Sequence, residues 1–146
     1  MHSLTHFLVA GAFLLALGFP IAHALLFSFL FAVLIDLDIL VGRRLGKPRH
    51  HSRTWMQEPF GVLLLGVPIG LVAQQLIAHG FILVIIPYAS HIILDYLSHH
   101  EVSPLAPFKK WDVQVGLLRP FRERTGVGPS EILVLIPAAI ACALLV

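Results

Sequence analysis

The stretch FGVLLLGVPIGLVAQQLIAHGFILVIIPYASHIILDYL, Phe60 to Leu97, decides the fold. It carries no charged residue until Asp95, and only His79-Gly80 interrupts it. Each half is long enough to cross a hydrocarbon core of roughly 30 Å as a helix. So short a connection between them makes an antiparallel helical hairpin. The two halves, Phe60 to Ala78 and Phe81 to about Leu97, are read as spans three and four.

Three further apolar segments extend the pattern. The first runs from about Leu4 to Leu17, and Gly18-Phe19-Pro20 then makes a turn, because proline suits the first turn of a helix. The second runs from Ile21 to about Val41. The fifth runs from Ile132 to Val146, after a helix start at Pro129-Ser130-Glu131 with an acidic first turn. Pro68, Pro87 and Pro137 fall inside spans, where they are expected to kink the helices. In span two, Phe27, Phe29 and Phe31 are expected to face lipid. Composition agrees with this division. The chain has 146 residues, 58% of them hydrophobic and only 12% charged, with a mean hydropathy of +0.88. A soluble domain carries about 25% charged residues. The expected fold class is therefore all-α, a polytopic membrane bundle of about five spans forming a single domain over residues 1–146. The N-terminus lacks the basic region of a cleaved signal peptide, and the lone Cys142 excludes an internal disulfide.

All ten Lys and Arg residues lie in two connections. Arg43, Arg44, Lys47, Arg49 and Arg53 follow span two; Lys109, Lys110, Arg119, Arg122 and Arg124 follow span four. Two intervening spans return the chain to one side, so both loops share a face. The positive-inside rule makes that face cytoplasmic.

This topology brings polar groups together. His6 lies near the inner end of span one, and Asp36 and Asp38 lie at the inner end of span two. His50 and His51 lie in the first basic loop, while His91 and Asp95 lie in the inner part of span four. His99 and His100 follow at its mouth. An Asp inside a bilayer costs at least about 2.5 kcal/mol on insertion scales, and such residues mark function. His91 and Asp95 are one helical turn apart and share a face. They suit either two ligands on one metal or an Asp orienting a ligating His; the plainer alternative is a hydrogen bond beside the Pro87 kink. Asp36 and Asp38 lie about 200° apart on an ideal helix, so both serve one site only if the helix ends or bends there. His23 and His79 belong to the outer face and are assigned interfacial roles, as are Trp55 and Trp111 on the inner side.

Imidazole and carboxylate together form a ligand set for a divalent metal, with zinc the expected one. Such a site lowers the pKa of a bound water to about 7, and an uncoordinated carboxylate is then available as general base. The basic loops suit an anionic substrate. The expected partners are membrane lipids, a lipid-like or phosphoester substrate and other membrane proteins, with no specific nucleic acid.

The order Thr5-His6, LIDLDIL, HHSRTW and HIILDYLSHHEVSPLAPF resembles the YdjM-type inner-membrane metal-dependent hydrolases over about residues 5–108. That family shows an early TH, a PDLD-like acidic pair, an HRxxTHS-like segment and HxxLD before a GVPLLxPF-like stretch. The resemblance places His6, Asp36, Asp38, His50, His91 and Asp95 on the family's metal positions; Asp38 is the candidate general base, and either His51 supplies the ligand missing at Trp55 or the site has lost one metal. It is also distantly similar to zinc-dependent phospholipase C and P1-type nucleases, which implies phosphoester hydrolysis. This chain departs from the pattern: Trp55 stands where the family has its second histidine, His51 where it has arginine, and Ile35 where it has proline. The rival readings are a non-catalytic subunit of a membrane complex with a structural or vestigial metal site, and an ion or proton carrier.

Overall fold

The computed structural model describes residues 3–37, 55–97 and 129–145, apart from the side chains at 34, 129–131 and 133. Both basic loops, together with Asp38, His50, His51, His99, His100 and Trp111, lie outside the described residues. Among the described residues every regular element is helical. Helix α1 covers Ser3–Ala16. Helix α2 covers Ile21–Ser28 and continues through a π-helical turn at Phe29–Val33 into a 3₁₀ turn at Leu34–Leu37. A short 3₁₀ turn at Trp55–Gln57 precedes α3, Pro59–Leu76. Helix α4 covers Gly80–Leu97 and α5 covers Pro129–Leu145. These five bodies match the five expected apolar segments to within a few residues at most described ends.

Local chemistry explains the joints. The end of α1 is a Schellman motif: Gly18 adopts φ 81°, its N–H bonds the Leu15 carbonyl at 2.9 Å, and Phe19 N–H bonds Leu14 at 3.1 Å. Phe19 then packs on the cluster that contains Leu14, the hydrophobic contact that accompanies this motif. Pro20 precedes Ile21 at the start of α2. The α3–α4 hairpin is tighter still. Ile77 N–H bonds Ala73 at 2.8 Å and Gly80 N–H bonds Ile77 at 2.9 Å. His79 takes the left-handed conformation, φ 60°, which histidine adopts more readily than most residues. The Gln74 side chain accepts the Phe81 N–H at 3.2 Å, satisfying one of the free donors at the start of α4. Pro68 sits where the π-helical part of α3, Val62–Gly66, gives way to α-helix. The chain stays helical through Pro87 and Pro137.

Helix α4 is the centre of the bundle. Its buried residues include Leu83, Val84, Tyr88, His91 and Asp95, and it packs against α1, α2 and α3. Helix α1 also packs against α5. Leu14, Leu15, Ala24, Phe27, Leu83 and Val84 form the apolar core. Phe27 is thus buried, contrary to the lipid-facing expectation, and its ring stacks on the half-buried Phe31; Phe29 is exposed as expected. Helix α3 faces outward: Val72 is 62% and Leu76 78% exposed. A row of large aliphatic side chains on that scale is foreign to a soluble surface and fits a lipid-facing one. The polar counterpart of this core lies toward the other end of α4.

There, two hydrogen bonds tie the Trp55–Gln57 turn to the bundle. Tyr88 donates its hydroxyl to the Met56 carbonyl at 2.6 Å, and Gln57 Nε2 donates to the Ile35 carbonyl at 3.2 Å. Tyr88→Phe is expected to lower stability by about 1 kcal/mol, the ordinary net worth of one such bond. Thermal unfolding in detergent is the measurement that checks it.

Candidate metal centre

Three helices deliver the site. His6 comes from the first turns of α1, Asp36 from the 3₁₀ turn that ends α2, and His91 and Asp95 from the late part of α4. His6, His91 and Asp95 are all about 1% exposed or less, and one ligand atom from each lies within 4.8 Å of the others. The helix changes winding at Phe29–Val33 and again at Leu34–Leu37, and Asp36, on the latter turn, faces His91. Four of the seven sequence-predicted ligands are therefore together; Asp38, His50 and His51 lie outside the described residues.

The geometry around His91 is specific. Its Nδ1 lies 2.7 Å from the Ala32 carbonyl, a group that only accepts, so Nδ1 carries the proton and donates it. In a neutral imidazole this leaves the Nε2 lone pair free. Nε2 faces Asp36 Oδ1 at 3.5 Å and Asp95 Oδ2 at 3.5 Å, and it has no hydrogen-bond partner among the described residues. A protonated Nε2 would draw a carboxylate in to about 2.7–2.9 Å. Instead both gaps lie near the edge of a tetrahedron with metal–ligand bonds of about 2.0–2.1 Å, which is about 3.4 Å. His91 thus directs Nδ1 across to Ala32 on α2 while keeping Asp95, one turn further along α4, beside its Nε2.

His6 completes the cluster. Its Nε2 lies 3.3 Å from Asp95 Oδ1, and its ring stacks on that of His91 with centroids 3.9 Å apart and planes 22° from parallel. The Ser3 hydroxyl donates to Asp36 Oδ2, fixing the carboxylate and turning Oδ1 toward His91. Sequence reasoning passed over Ser3, although Ser3 and His6 are three residues apart and so lie on one helical face. It also passed over the Ala32 carbonyl, which no residue type announces. Outer-layer bonds of this kind raise metal affinity by about 10–100-fold. If the cluster binds zinc, Ser3→Ala is expected to weaken that binding within that range without changing its stoichiometry, as read by competition titration against a chelating dye.

His23 and His79 are not part of this centre. They line a cavity of about 500 Å³ at the other end of the bundle, with Leu17, Phe19, Ile77 and Ile82.

An all-α bundle with an apolar exterior and a buried His/Asp cluster at one end defines a class of helical membrane proteins. Within it, this chain belongs to the YdjM inner membrane protein family, whose sequence pattern matches residues 1–146. No curated protein and no solved structure matches the chain.

Proposed function

We propose that this protein is a membrane-embedded, divalent-metal-dependent hydrolase acting on a phosphoester or lipid-like substrate at the cytoplasmic face. The observation that carries the reading is His91: its Nδ1 is anchored on the Ala32 carbonyl, and its Nε2 faces the carboxylates of Asp36 and Asp95 at 3.5 Å each. A cation set among these nitrogen and oxygen donors would offset the cost of burying them together in an apolar bundle. Zinc suits nitrogen and oxygen donors of this kind.

When bound, such a metal lowers the pKa of a coordinated water to about 7. The chain's own residues do the rest. His91 and Asp95 hold the centre from α4, and Asp36 holds it from α2. Asp36 is the route outward, because its side chain is 20% exposed while His91 and Asp95 are sealed. Asp38, two residues further on, is the proposed general base, and His50 and His51 are the proposed remaining ligands. The basic loops support both a cytoplasmic orientation and an anionic substrate.

The burial of His6, His91 and Asp95 also favours a second reading. Structural zinc sites are closed whereas catalytic ones keep an open position, so the cluster is alternatively a structural centre in a non-catalytic membrane subunit. The protein purified in detergent with its metal, offered a panel of phosphomonoesters, phosphodiesters, phospholipids, carboxyl esters and amides, separates the two. Turnover that disappears in Asp38→Asn while metal is retained supports the hydrolase. Metal retention with no turnover on any substrate supports the structural centre.

A further inference from the structure

The cavity at the far end of the bundle has the make-up of a ligand site. Its volume of about 500 Å³ falls within the roughly 300–1,000 Å³ of small-molecule sites. Two turns and the helices after them build it. Leu17 and Phe19 come from the α1–α2 turn, Ile77 and His79 from the α3–α4 turn, His23 from α2 and Ile82 from α4. Of its described lining residues, only the two histidines carry polar side-chain atoms. An apolar wall with a few convergent polar groups is the arrangement that orients a ligand.

His79 is held in an uncommon backbone conformation. Its φ of 60° lies in the left-handed region that glycine or asparagine usually fills after a helix. A larger side chain kept in such a conformation points to function. Its ring meets Phe19 edge to face, with centroids 6.1 Å apart and planes at 77°. Among the described residues, no side-chain hydrogen bond ties down either imidazole. The surroundings carry no formal charge: no Lys, Arg, Asp or Glu stands from Ser3 to Ile35 or from Pro59 to Leu94. The rim is apolar and open, with Leu17 58% and Ile82 38% exposed. The cavity is therefore continuous with the lipid-facing surface.

We infer that this cavity binds the hydroxyl head of an uncharged lipid, with His23 and His79 as its hydrogen-bonding partners. A neutral imidazole offers one N–H and one lone pair. Two imidazoles lining one cavity match a hydroxyl, which accepts from one and donates to the other. A carbonyl or an ether only accepts, and leaves one imidazole without a partner. A phosphate or carboxylate would enter with no lysine or arginine to offset its lost hydration. The hydrocarbon part lies against Leu17, Phe19 and Ile82. A lipid alcohol such as a diacylglycerol meets all of these conditions. The site shares no residue with the His/Asp cluster and stands independently of the metal reading.

The test is photo-crosslinking of the full chain in phosphatidylcholine nanodiscs, using a diacylglycerol that carries a diazirine near its head. Mass spectrometry is expected to place saturable labelling on peptides containing residues 17–23 and 77–82. Unlabelled diacylglycerol should compete. The same lipid with its hydroxyl capped as a methyl ether, and phosphatidic acid, should compete about five- to tenfold less well, the worth of one hydrogen bond. His23→Phe and His79→Asn should weaken labelling by a similar factor. Asparagine suits the left-handed backbone at 79, and circular dichroism checks both folds. Labelling that does not saturate, or that falls elsewhere on the chain, overturns the site. Equal competition by the methyl ether or by phosphatidic acid overturns the hydroxyl assignment, as does labelling indifferent to both substitutions.

Discussion

On the proposed metal-centre reading, His91→Ala is expected to strip the protein of bound metal. Alanine removes a ring that is fully buried and anchored on Ala32, together with the nitrogen that faces Asp36 and Asp95. What remains of the cluster is His6 with the two carboxylates, short of the nitrogen that faces both Asp36 and Asp95. Losing an outer-layer contact alone costs up to about 100-fold in affinity, so losing the ligand should cost more than that. Elemental analysis of protein purified without chelator should then find metal in wild type and none in the variant. His23→Ala is the matched control. It removes an imidazole at the opposite end of the same bundle and should leave the metal content unchanged. Equal loss in both variants would mean that the measurement reports general damage to the fold.

Gly80→Val is expected to have the largest effect on folding. A Cβ at Gly80 would lie 2.3 Å from both the carbonyl carbon and the oxygen of Ala73. Those are backbone atoms of the facing helix, so no rotamer change relieves the contact and α3 and α4 must separate. The expected cost is at least about 4 kcal/mol, in the range reserved for severe lesions. It should be visible as aggregation or loss of a monodisperse peak in detergent chromatography. Gly70→Ala provides the scale. Its Cβ would meet the Phe81 ring at 2.9 Å, a side chain that can turn aside, so that variant should stay folded with a lowered melting temperature.

The hairpin and the site differ in how far the sequence discloses them. Phe60 to Leu97 reads as two spans because its uninterrupted apolar character leaves a bilayer as its natural solvent, and only His79-Gly80 is available for the turn. The meeting of His6, Asp36, His91 and Asp95 is legible for a related reason. Alternating spans put the start of α1, the end of α2 and the late part of α4 at one depth. What the sequence conceals is the fine winding. The π-helical turn at Phe29–Val33 packs against α1 and α4, a 3₁₀ turn follows it, and no residue in FLFAVLIDL announces either. Yet that winding follows Phe27, which goes to the core, and carries both Asp36, which goes to the site, and the Ala32 carbonyl beside His91. Phe27 was misplaced for the same reason: a span that is apolar all round does not disclose which face is buried. The stack of His6 on His91 is likewise a matter of how α1 leans on α4, which spacing along either helix leaves open.

These particulars converge on one claim, that the cluster exists to hold metal. X-ray absorption at the zinc edge, on wild-type protein purified without chelator and supplied with zinc, tests it most directly. The predicted result is a tightly bound ion with imidazole nitrogen and carboxylate oxygen at about 2.0–2.1 Å, and loss of the imidazole scattering in His91→Ala. Zinc that washes away from folded wild-type protein, or a shell of oxygen alone that His91→Ala leaves unchanged, would contradict it.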